Sequence, residues 1–472
     1  MRRLGHGETT VTGVVLTYEE GTLRIEGDVS VLDSEGDTSA PDSEGFTLEY
    51  DPRSETYRAP AFEYGRIREH LRESNRIRDD EIEDRVLSLP SLPFESGYRL
   101  REYQEVALEA WLDAGRRGVL ELPTGSGKTV IALAAIERLA TPTLVVVPTL
   151  DLLAQWHDEL ATEFDGQVGQ LGGGTQELEP LTVSTYDSAY LRADELGDQF
   201  GLVVFDEVHH LGGEGYRDIA RLLAAPARLG LTATFERPDG AHEVIKRLLG
   251  PVVYRIEAAE LAGEHLAPYD IKCIQVELTP EERETYERHQ SVFTDYLASS
   301  NITLRSASDY QELVKRSGTD PRAREALLAK QRAREVMMNA QHKVDQLSEI
   351  LDRHREDRVI VFTAYTDLVY RLSERFLIPA ITHETGAGER REILDRFREG
   401  EYSRLVTANV LDEGVDVPDA NVAVVLSGSG SEREFTQRLG RILRPKADGG
   451  RALLYELVTE ETAEERVARR RR

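Results

Sequence analysis

Apolar positions follow two regimes along the chain. Between residues 11 and 32 they alternate with polar ones, as Val11, Gly13, Val15 and then Leu23, Ile25, Val29, Val31. A period of two predicts half-buried strands, and Glu20-Gly21 between the two runs predicts a hairpin turn. Residues 33–44 are polar and acidic and read as a loop, a helix is expected around 66–73, and Pro90-Ser-Leu-Pro93 reads as a linker. Residues 1–92 are therefore expected to form a small α+β domain. From Tyr98 the pattern changes to short, continuous apolar runs at 119–122, 143–147, 181–184, 202–205 and 229–231, alternating with helix-period segments. A second set falls at 358–362, 380–382, 404–407, 421–426 and 453–458. Runs without alternation predict parallel strands buried on both faces, so the fold class is α/β with two parallel-sheet lobes. We place them at 93–265 and 266–460, with 461–472 as a basic tail.

Residues 279–346 interrupt the second lobe with helix formers and little strand signal. They carry Arg305, Lys315, Arg316, Arg322, Arg324, Lys330, Arg332, Arg334 and Lys343. Two readings stand side by side: a solvated helical hairpin, or a basic projection that tracks a nucleic-acid backbone.

Composition sharpens this picture. The chain has 86 acidic and 58 basic residues, a formal charge of -28, and lysine only at 128, 246, 272, 315, 330, 343 and 446. Such a surface fits an acidic partner-binding face, a partly disordered chain or a protein dissolved in a salt-rich cytoplasm. Apolar periodicity through nearly the whole length argues against disorder. Charge spread evenly rather than in blocks favours salt adaptation. The single cysteine, Cys273, precludes an intrachain disulfide and reads as a small buried hydrophobe in a strand. Neither a membrane-length apolar run nor a signal-peptide core is visible, so a cytoplasmic protein without membrane contact is expected.

Three segments carry chemistry. Leu122-Pro-Thr-Gly-Ser-Gly-Lys-Thr129 lies between a predicted strand and a predicted helix. Glycines there let main-chain N–H groups curl around phosphates, assisted by the helix N-terminus. Pro123, Thr124, Gly125, Ser126 and Gly127 would form that cradle, Lys128 would reach the β- and γ-phosphates, and Thr129 would hold Mg²⁺. The apolar run at 202–205 ends in Asp206-Glu207-Val208-His209. Asp206 is placed to hold Mg²⁺ through water, and Glu207 to polarise the attacking water. Gln437-Arg-Leu-Gly-Arg441-Ile-Leu-Arg444 puts Arg441 and Arg444 three residues apart, on one helix face, where a guanidinium suits a γ-phosphate. The conjunction of all three, in this order, points to ATP hydrolysis.

Across 98–458 the motif order resembles superfamily-2 helicases, which implies RecA-like lobes. Arg99-Leu-Arg101-Glu-Tyr-Gln104 is similar to the glutamine motif that reads adenine. Pro148-Thr149 with Gln155-Trp156 resembles the Ia segment, and Val183-Ser184-Thr185-Tyr186 the Ib segment. Leu231-Thr-Ala-Thr234 resembles motif III, Val361-Phe-Thr363 motif IV, and Leu411-Asp-Glu-Gly414-Val-Asp416-Val-Pro418 motif V. Asp-Glu-Val-His at 206–209, Tyr18…Gly27 and Tyr57-Arg-Ala-Pro-Ala61 look like the archaeal XPB DNA helicases.

That resemblance implies several assignments. Gln437, Lys128, Glu207, Arg441 and Arg444 would be catalytic; Arg101, Gln104, Gly414 and Asp416 would contact nucleotide. His209 would bridge to Gln437. Pro148, Thr149, Ser184, Thr185, Thr234, Arg237, Asp239, Thr363 and Thr407 would contact nucleic acid. The N-terminal domain would recognise damage, and 279–346 would be a DNA-gripping thumb. Single-stranded or junction DNA would be the partner, alongside a nuclease, with the helicase itself a monomer moving 3′→5′. Where the family has Arg-Glu-Asp, this chain has Arg237-Pro238-Asp239, which removes a carboxylate and a main-chain donor and predicts weak strand separation. An RNA helicase, a translocase that never separates strands and a scaffold with a vestigial ATPase remain rival readings.

Overall fold

The computed structural model describes residues 13–27, 32, 46–73, 82–92, 94–123, 125–236, 240–257, 260, 269–300, 302, 304, 307–408, 420–426, 452–462 and 464. The chain divides into two compact units, Met1–Glu260 and Leu261–Arg472.

In the first unit, strands β1 (Val14–Glu19) and β2 (Thr22–Gly27) pair antiparallel through the anticipated Glu20-Gly21 turn. Both turn residues have positive φ, 45° and 81°, the twist a two-residue hairpin needs. Strands β3 (Glu49–Asp51), β4 (Thr56–Pro60) and β5 (Ile82–Asp84) complete a sheet of order β3-β4-β2-β1-β5. Helix α1 (Tyr64–Glu73) covers it, burying Tyr64, Ile67 and Leu71 at helical spacing against Leu16, Leu23 and Ile25. The expected helix thus begins two residues earlier than its sequence signal.

This small sheet is docked onto the larger body of the same unit. The Tyr18 hydroxyl donates to the carbonyls of Asp194 (3.2 Å) and Leu222 (3.1 Å), over a Gly197 whose hydrogen leaves room for the ring. Arg117 donates to the Phe62 carbonyl at 3.2 Å and the Leu248 carbonyl at 3.0 Å, and burial brings its pKa down to about 10. Beside it Arg228 is fully buried. Its guanidinium donates to the carbonyls of Ala220 (2.7 Å), Ala225 (3.1 Å) and Leu248 (3.3 Å). Burial, with Arg117 second, holds the Arg228 pKa well below its ordinary value.

The body contains β6 (Arg117–Glu121), β7 (Thr143–Val147), β8 (Gly169–Gly172), β9 (Thr175–Glu177), β10 (Leu181–Thr185), β11 (Leu202–Phe205), β12 (Ala227–Thr232) and β13 (Val252–Arg255). They form one sheet ordered β13-β6-β12-β11-β7-β10-β8-β9, parallel except for the β8–β9 hairpin. Helix α2 (Glu102–Asp113) leads into β6, and crossovers run through α3 (Lys128–Leu139), α4 (Leu150–Glu163), α5 (Tyr186–Leu191), α6 (Arg217–Leu222) and α7 (His242–Leu249). Strands β7, β10, β11 and β12 are buried at every position, as their unbroken apolar runs anticipated. A parallel sheet gathers the loops after its strands along one edge, where α/β folds bind ligands.

The second unit repeats the principle with β14 (Tyr269–Val276), β15 (Val359–Thr363), β16 (Ala380–Ile381), β17 (Arg404–Ala408), β18 (Val422–Val425) and β19 (Ala452–Thr459). Its sheet runs β14-β19-β18-β15-β17-β16, all parallel. Cys273 lies in β14 and is half-buried rather than fully buried, because β14 is an edge strand. The insertion is helical as expected: α8 (Pro280–Ser299), α9 (Ala307–Ser317), α10 (Pro321–Met338) and α11 (Gln341–Arg353). A Thr279–Glu282 capping box and Pro280 start α8. Helices α12 (Thr366–Phe376) and α13 (Ala387–Glu399) follow among the described residues.

One basic residue of the insertion does not belong to a basic surface. Lys343 is 1% exposed and donates to Glu464 and to the Leu426 carbonyl, so no nucleic-acid backbone can reach it. Arg305 lies outside the described residues. Among the described residues no helix is long and apolar enough to cross a membrane.

Candidate functional site

The segment after β6 and the segment after β11 emerge on the same edge of the first sheet, with β12 between these strands. After β6 the chain turns through Gly125 (φ 81°) and Gly127 (φ 76°), left-handed conformations suited to glycine, and enters α3 at Lys128. A Cβ on Gly127 would also lie 2.5 Å from Gln104 Nε2. Pro123 is buried, Gly125 exposed, and Lys128 and Thr129 half-exposed in the first turn of α3. Lys128 Nζ donates to the Leu122 carbonyl at 3.2 Å. The Ser126 hydroxyl is buried with no hydrogen-bond partner. Thr124 lies outside the described residues.

Gln104 is 3% exposed, and its amide is committed to the main chain. Its Oε1 accepts from Arg101 N–H at 2.9 Å, and its Nε2 donates to the Ser126 carbonyl at 2.8 Å. The Tyr103 hydroxyl donates to the same carbonyl at 2.6 Å. Gln104 therefore braces the loop from below, a structural duty that its motif does not advertise, while Arg101 is exposed at the helix start.

At the end of β11 the two carboxylates differ. Asp206 is fixed on both oxygens: Trp156 Nε1 donates to Oδ2 at 2.9 Å and the Glu207 N–H to Oδ1 at 3.0 Å. Burial raises the Asp206 pKa, with the neighbouring Glu207 charge second; the Trp156 bond and the Lys128 charge oppose them. Glu207 stands at φ 46°, ψ 55°, a conformation that costs a non-glycine residue on the order of 1–3 kcal/mol and often marks a working site. Its Oε2 is buried with no hydrogen-bond partner, 3.5 Å from His209 Nδ1.

His209 Nδ1 is also 3.4 Å from Thr232 Oγ1. Thr232 in turn donates to the Thr234 carbonyl (2.9 Å) and accepts the Thr234 N–H (3.1 Å). The following segment is tied to β6, because Glu121 Oε1 accepts the Phe235 N–H at 3.1 Å and Arg255 holds the other oxygen. Gln437, the anticipated partner of His209, lies outside the described residues, as do Gly414, Asp416, Arg441, Arg444, Arg237, Pro238 and Asp239.

The remaining candidates divide. Pro148 and Thr149 are half-exposed after β7, where Thr149 Oγ1 caps α4 by accepting the Leu152 N–H. Thr185 caps α5, accepting the Ser188 N–H at 3.2 Å. Ser184, Thr363 and Thr407 are fully buried. Ser184 and Thr407 turn their hydroxyls to the carbonyls of Thr185 and Ala408, and Thr363 accepts the Tyr365 N–H. These three side chains are therefore withdrawn from any phosphate; at or next to the ends of buried strands they serve the sheet edge itself.

Glu121 was not singled out by sequence, and Trp156, Tyr186 and Tyr103 were quoted within motifs but given no role of their own. A buried indole or phenol must find a polar partner, so Trp156 on the apolar face of α4 was a legible signal, although its acceptor was not.

The donor set fits a nucleotide with a divalent cation: an ammonium, glycine-shaped main chain, two carboxylates, and two buried oxygens, Ser126 Oγ and Glu207 Oε2, without a hydrogen-bond partner among the described residues. Among the described residues no cluster of three or more His, Cys, Asp or Glu could hold a metal by itself. Such a cation would depend on Thr129, Asp206 and the phosphates.

Comparison with known proteins agrees with this arrangement. Residues 97–237 match the res subunit of type III restriction enzymes, 342–446 the helicase conserved C-terminal domain, and 16–86 the xeroderma pigmentosum group B helicase damage recognition domain. The DNA 3′-5′ translocase XPB2 of Sulfurisphaera tokodaii is 46% identical over 426 residues, spanning 90% of this chain and 95% of that protein. The putative DNA 3′-5′ helicase Rad25 of Halobacterium salinarum is 35% identical over 79% of this chain and 56% of its own length. The crystal structure of the Pyrococcus furiosus Hef helicase domain shares the fold, with TM-score 0.51, 22% identity, and coverage of 79% and 98%.

Proposed function

Since the chain belongs to the XPB family of DNA helicases and translocases, we propose that it hydrolyses ATP to move 3′→5′ along DNA in repair or transcription-linked work. The observation that carries this reading is the unequal pair at the end of β11. Asp206 is immobilised, while Glu207 keeps one buried oxygen without a hydrogen bond, on the sheet edge that also bears the glycine loop.

Main-chain N–H groups of 124–127 and Lys128 hold the phosphates, with Arg101 on the base side and Gln104 bracing the loop beneath. Thr129 and Asp206 would hold Mg²⁺, which would neutralise charge on the phosphates. Glu207 Oε2 takes a proton from water as the water oxygen bonds to the γ-phosphorus. The bond to the β–γ bridging oxygen breaks, leaving ADP and phosphate. Gly414, Asp416, Gln437, Arg441 and Arg444 enter on their sequence pattern. Pro148, Thr149, Thr185, Thr234, Arg237 and Asp239 are the DNA contacts retained. Arg237-Pro238-Asp239 and the translocase name of the Sulfurisphaera relative favour movement with weak strand separation. We place the protein in the cytoplasm as a monomer that works beside a nuclease, as the resemblance implies.

The test is ATP hydrolysis in high KCl with no nucleic acid, single-stranded DNA, duplex DNA or RNA. Stimulation by DNA, with little by RNA, is expected. Equal stimulation by RNA would replace the DNA assignment, and none at all would favour a scaffold.

The charge of -28 further leads us to propose a salt-rich cytoplasm. At molar salt the screening length falls to about 3 Å, which relieves self-repulsion. Tm should therefore rise with KCl from low to molar concentration, and a steady fall would exclude salt adaptation.

A further inference from the structure

Two aromatic side chains tie Asp206 to the segments that bear the proposed DNA contacts. Helix α4 starts at its cap, Thr149, and in its second turn carries Trp156, 1% exposed. The Trp156 indole N–H donates to Asp206 Oδ2 at 2.9 Å. Helix α5 starts at its cap, Thr185, and its first residue is Tyr186, 2% exposed. The Tyr186 hydroxyl donates to the Asp206 main-chain carbonyl at 3.2 Å. Asp206 is thus held at its carboxylate from one segment and at its main chain from the other. Its own N–H donates to the Val146 carbonyl in β7, the strand that leads into Pro148 and Thr149.

We propose that Trp156 and Tyr186 are positioning residues that make the setting of Asp206, and with it ATP hydrolysis, depend on nucleic acid bound at the starts of α4 and α5. The physical reason is packing. Both rings are buried, at 1% and 2% exposure, in a close-packed interior where a shift of either helix cannot be absorbed by empty space. A donor at 2.9 Å loses most of its bond if displaced by half an ångström to an ångström, so a small adjustment at Thr149 or Thr185 reaches Asp206. Glu207 moves with it, because its N–H is bonded to Asp206 Oδ1 at 3.0 Å. Neither aromatic residue touches nucleotide in this scheme. This inference rests on the proposed DNA-stimulated ATPase.

The test uses the full chain with Trp156→Phe and Tyr186→Phe, which delete one N–H and one hydroxyl. Turnover is measured without DNA and at saturating DNA, and DNA affinity is followed by anisotropy. Loss of one hydrogen bond to a charged group predicts that stimulated turnover of Trp156→Phe falls about 10- to 100-fold. DNA affinity should stay within about threefold, and the ratio of stimulated to unstimulated turnover should fall. A smaller loss in the same direction is expected for Tyr186→Phe, whose acceptor is a neutral carbonyl. A merely structural role would lower both turnovers together, and that outcome overturns the proposal.

A second readout does not depend on activity. The chain contains two tryptophans, so Trp111→Phe leaves Trp156 as the sole reporter. Its emission should shift when DNA is added without nucleotide, and an unmoved spectrum would count against the coupling. If Trp156→Phe does not fold, Tyr186→Phe and the spectral experiment carry the decision. Full stimulation retained in both variants overturns this inference alone. An unsubstituted protein that no nucleic acid stimulates overturns the functional reading, and this inference falls with it.

Discussion

Replacing Glu207 with glutamine is expected to lower DNA-stimulated ATP hydrolysis by about 10²–10⁴-fold, the contribution of a positioned general base. The substitution keeps the shape and one acceptor oxygen but cannot accept the proton from water. Position and bonding single out Glu207 over Asp206. Both Asp206 oxygens already accept hydrogen bonds, whereas Glu207 Oε2 has none and sits beside His209 in a pocket of low exposure. Nucleotide binding should survive, because the glycine loop and Lys128 are untouched. Titration with a fluorescent ATP analogue should therefore give a Kd within a few-fold of the unsubstituted value. A turnover within tenfold of normal would move the base elsewhere on this edge, and a collapse of nucleotide affinity would give Glu207 a binding role instead.

Much of this edge was legible because its chemistry is written in contiguous residues on elements with strong local signals. The glycine loop, the Asp-Glu pair and the threonines after β7 and β10 each follow an unbroken apolar run. Parallel pairing then carries all of them to one side of the sheet. The hairpin at Glu20-Gly21 was legible for a similar reason, since turn chemistry is local. What could not be read depends on residues far apart in the chain. A strand was expected at Cys273, but the extent of β14 and its place at the sheet edge come from pairing with β19, residue 269 against residue 452. Gln104 was legible as a motif but not as a brace, since the loop carbonyl it holds, that of Ser126, lies 22 residues on. Ser184, Thr363 and Thr407 looked like phosphate contacts because the strand-end position is the same for an exposed residue and for a buried one. Only packing shows that they face inward.

Lys343 is the sharpest case, and it supports the second large prediction. In sequence it belongs to a run of basic residues in the helical insertion, and charge runs usually lie on solvated faces. In the fold its ammonium is buried and donates to Glu464 Oε1 (2.9 Å), Glu464 Oε2 (2.7 Å) and the Leu426 carbonyl (2.6 Å). Burial pushes the Lys343 pKa down and the Glu464 charge pulls it back up, the downward effect being larger. Glu464 also accepts the Thr459 N–H at 2.9 Å, so the pair joins the start of α11, the end of β18 and the turn after β19. Lys343→Met keeps the apolar stem but leaves a buried carboxylate without its cation, which costs about 3–5 kcal/mol. For a folding unit of this size that corresponds to a Tm lower by roughly 6–20 °C. The charge, not the packing, should carry the loss. Lys343→Met with Glu464→Met should therefore recover most of the stability, since a buried ion pair is often replaced by apolar groups at little cost. Thermal melts of the two single variants and the double variant close that cycle. A double variant no more stable than Lys343→Met would mean that the bond to the Leu426 carbonyl, rather than the ion pair, holds these three elements together.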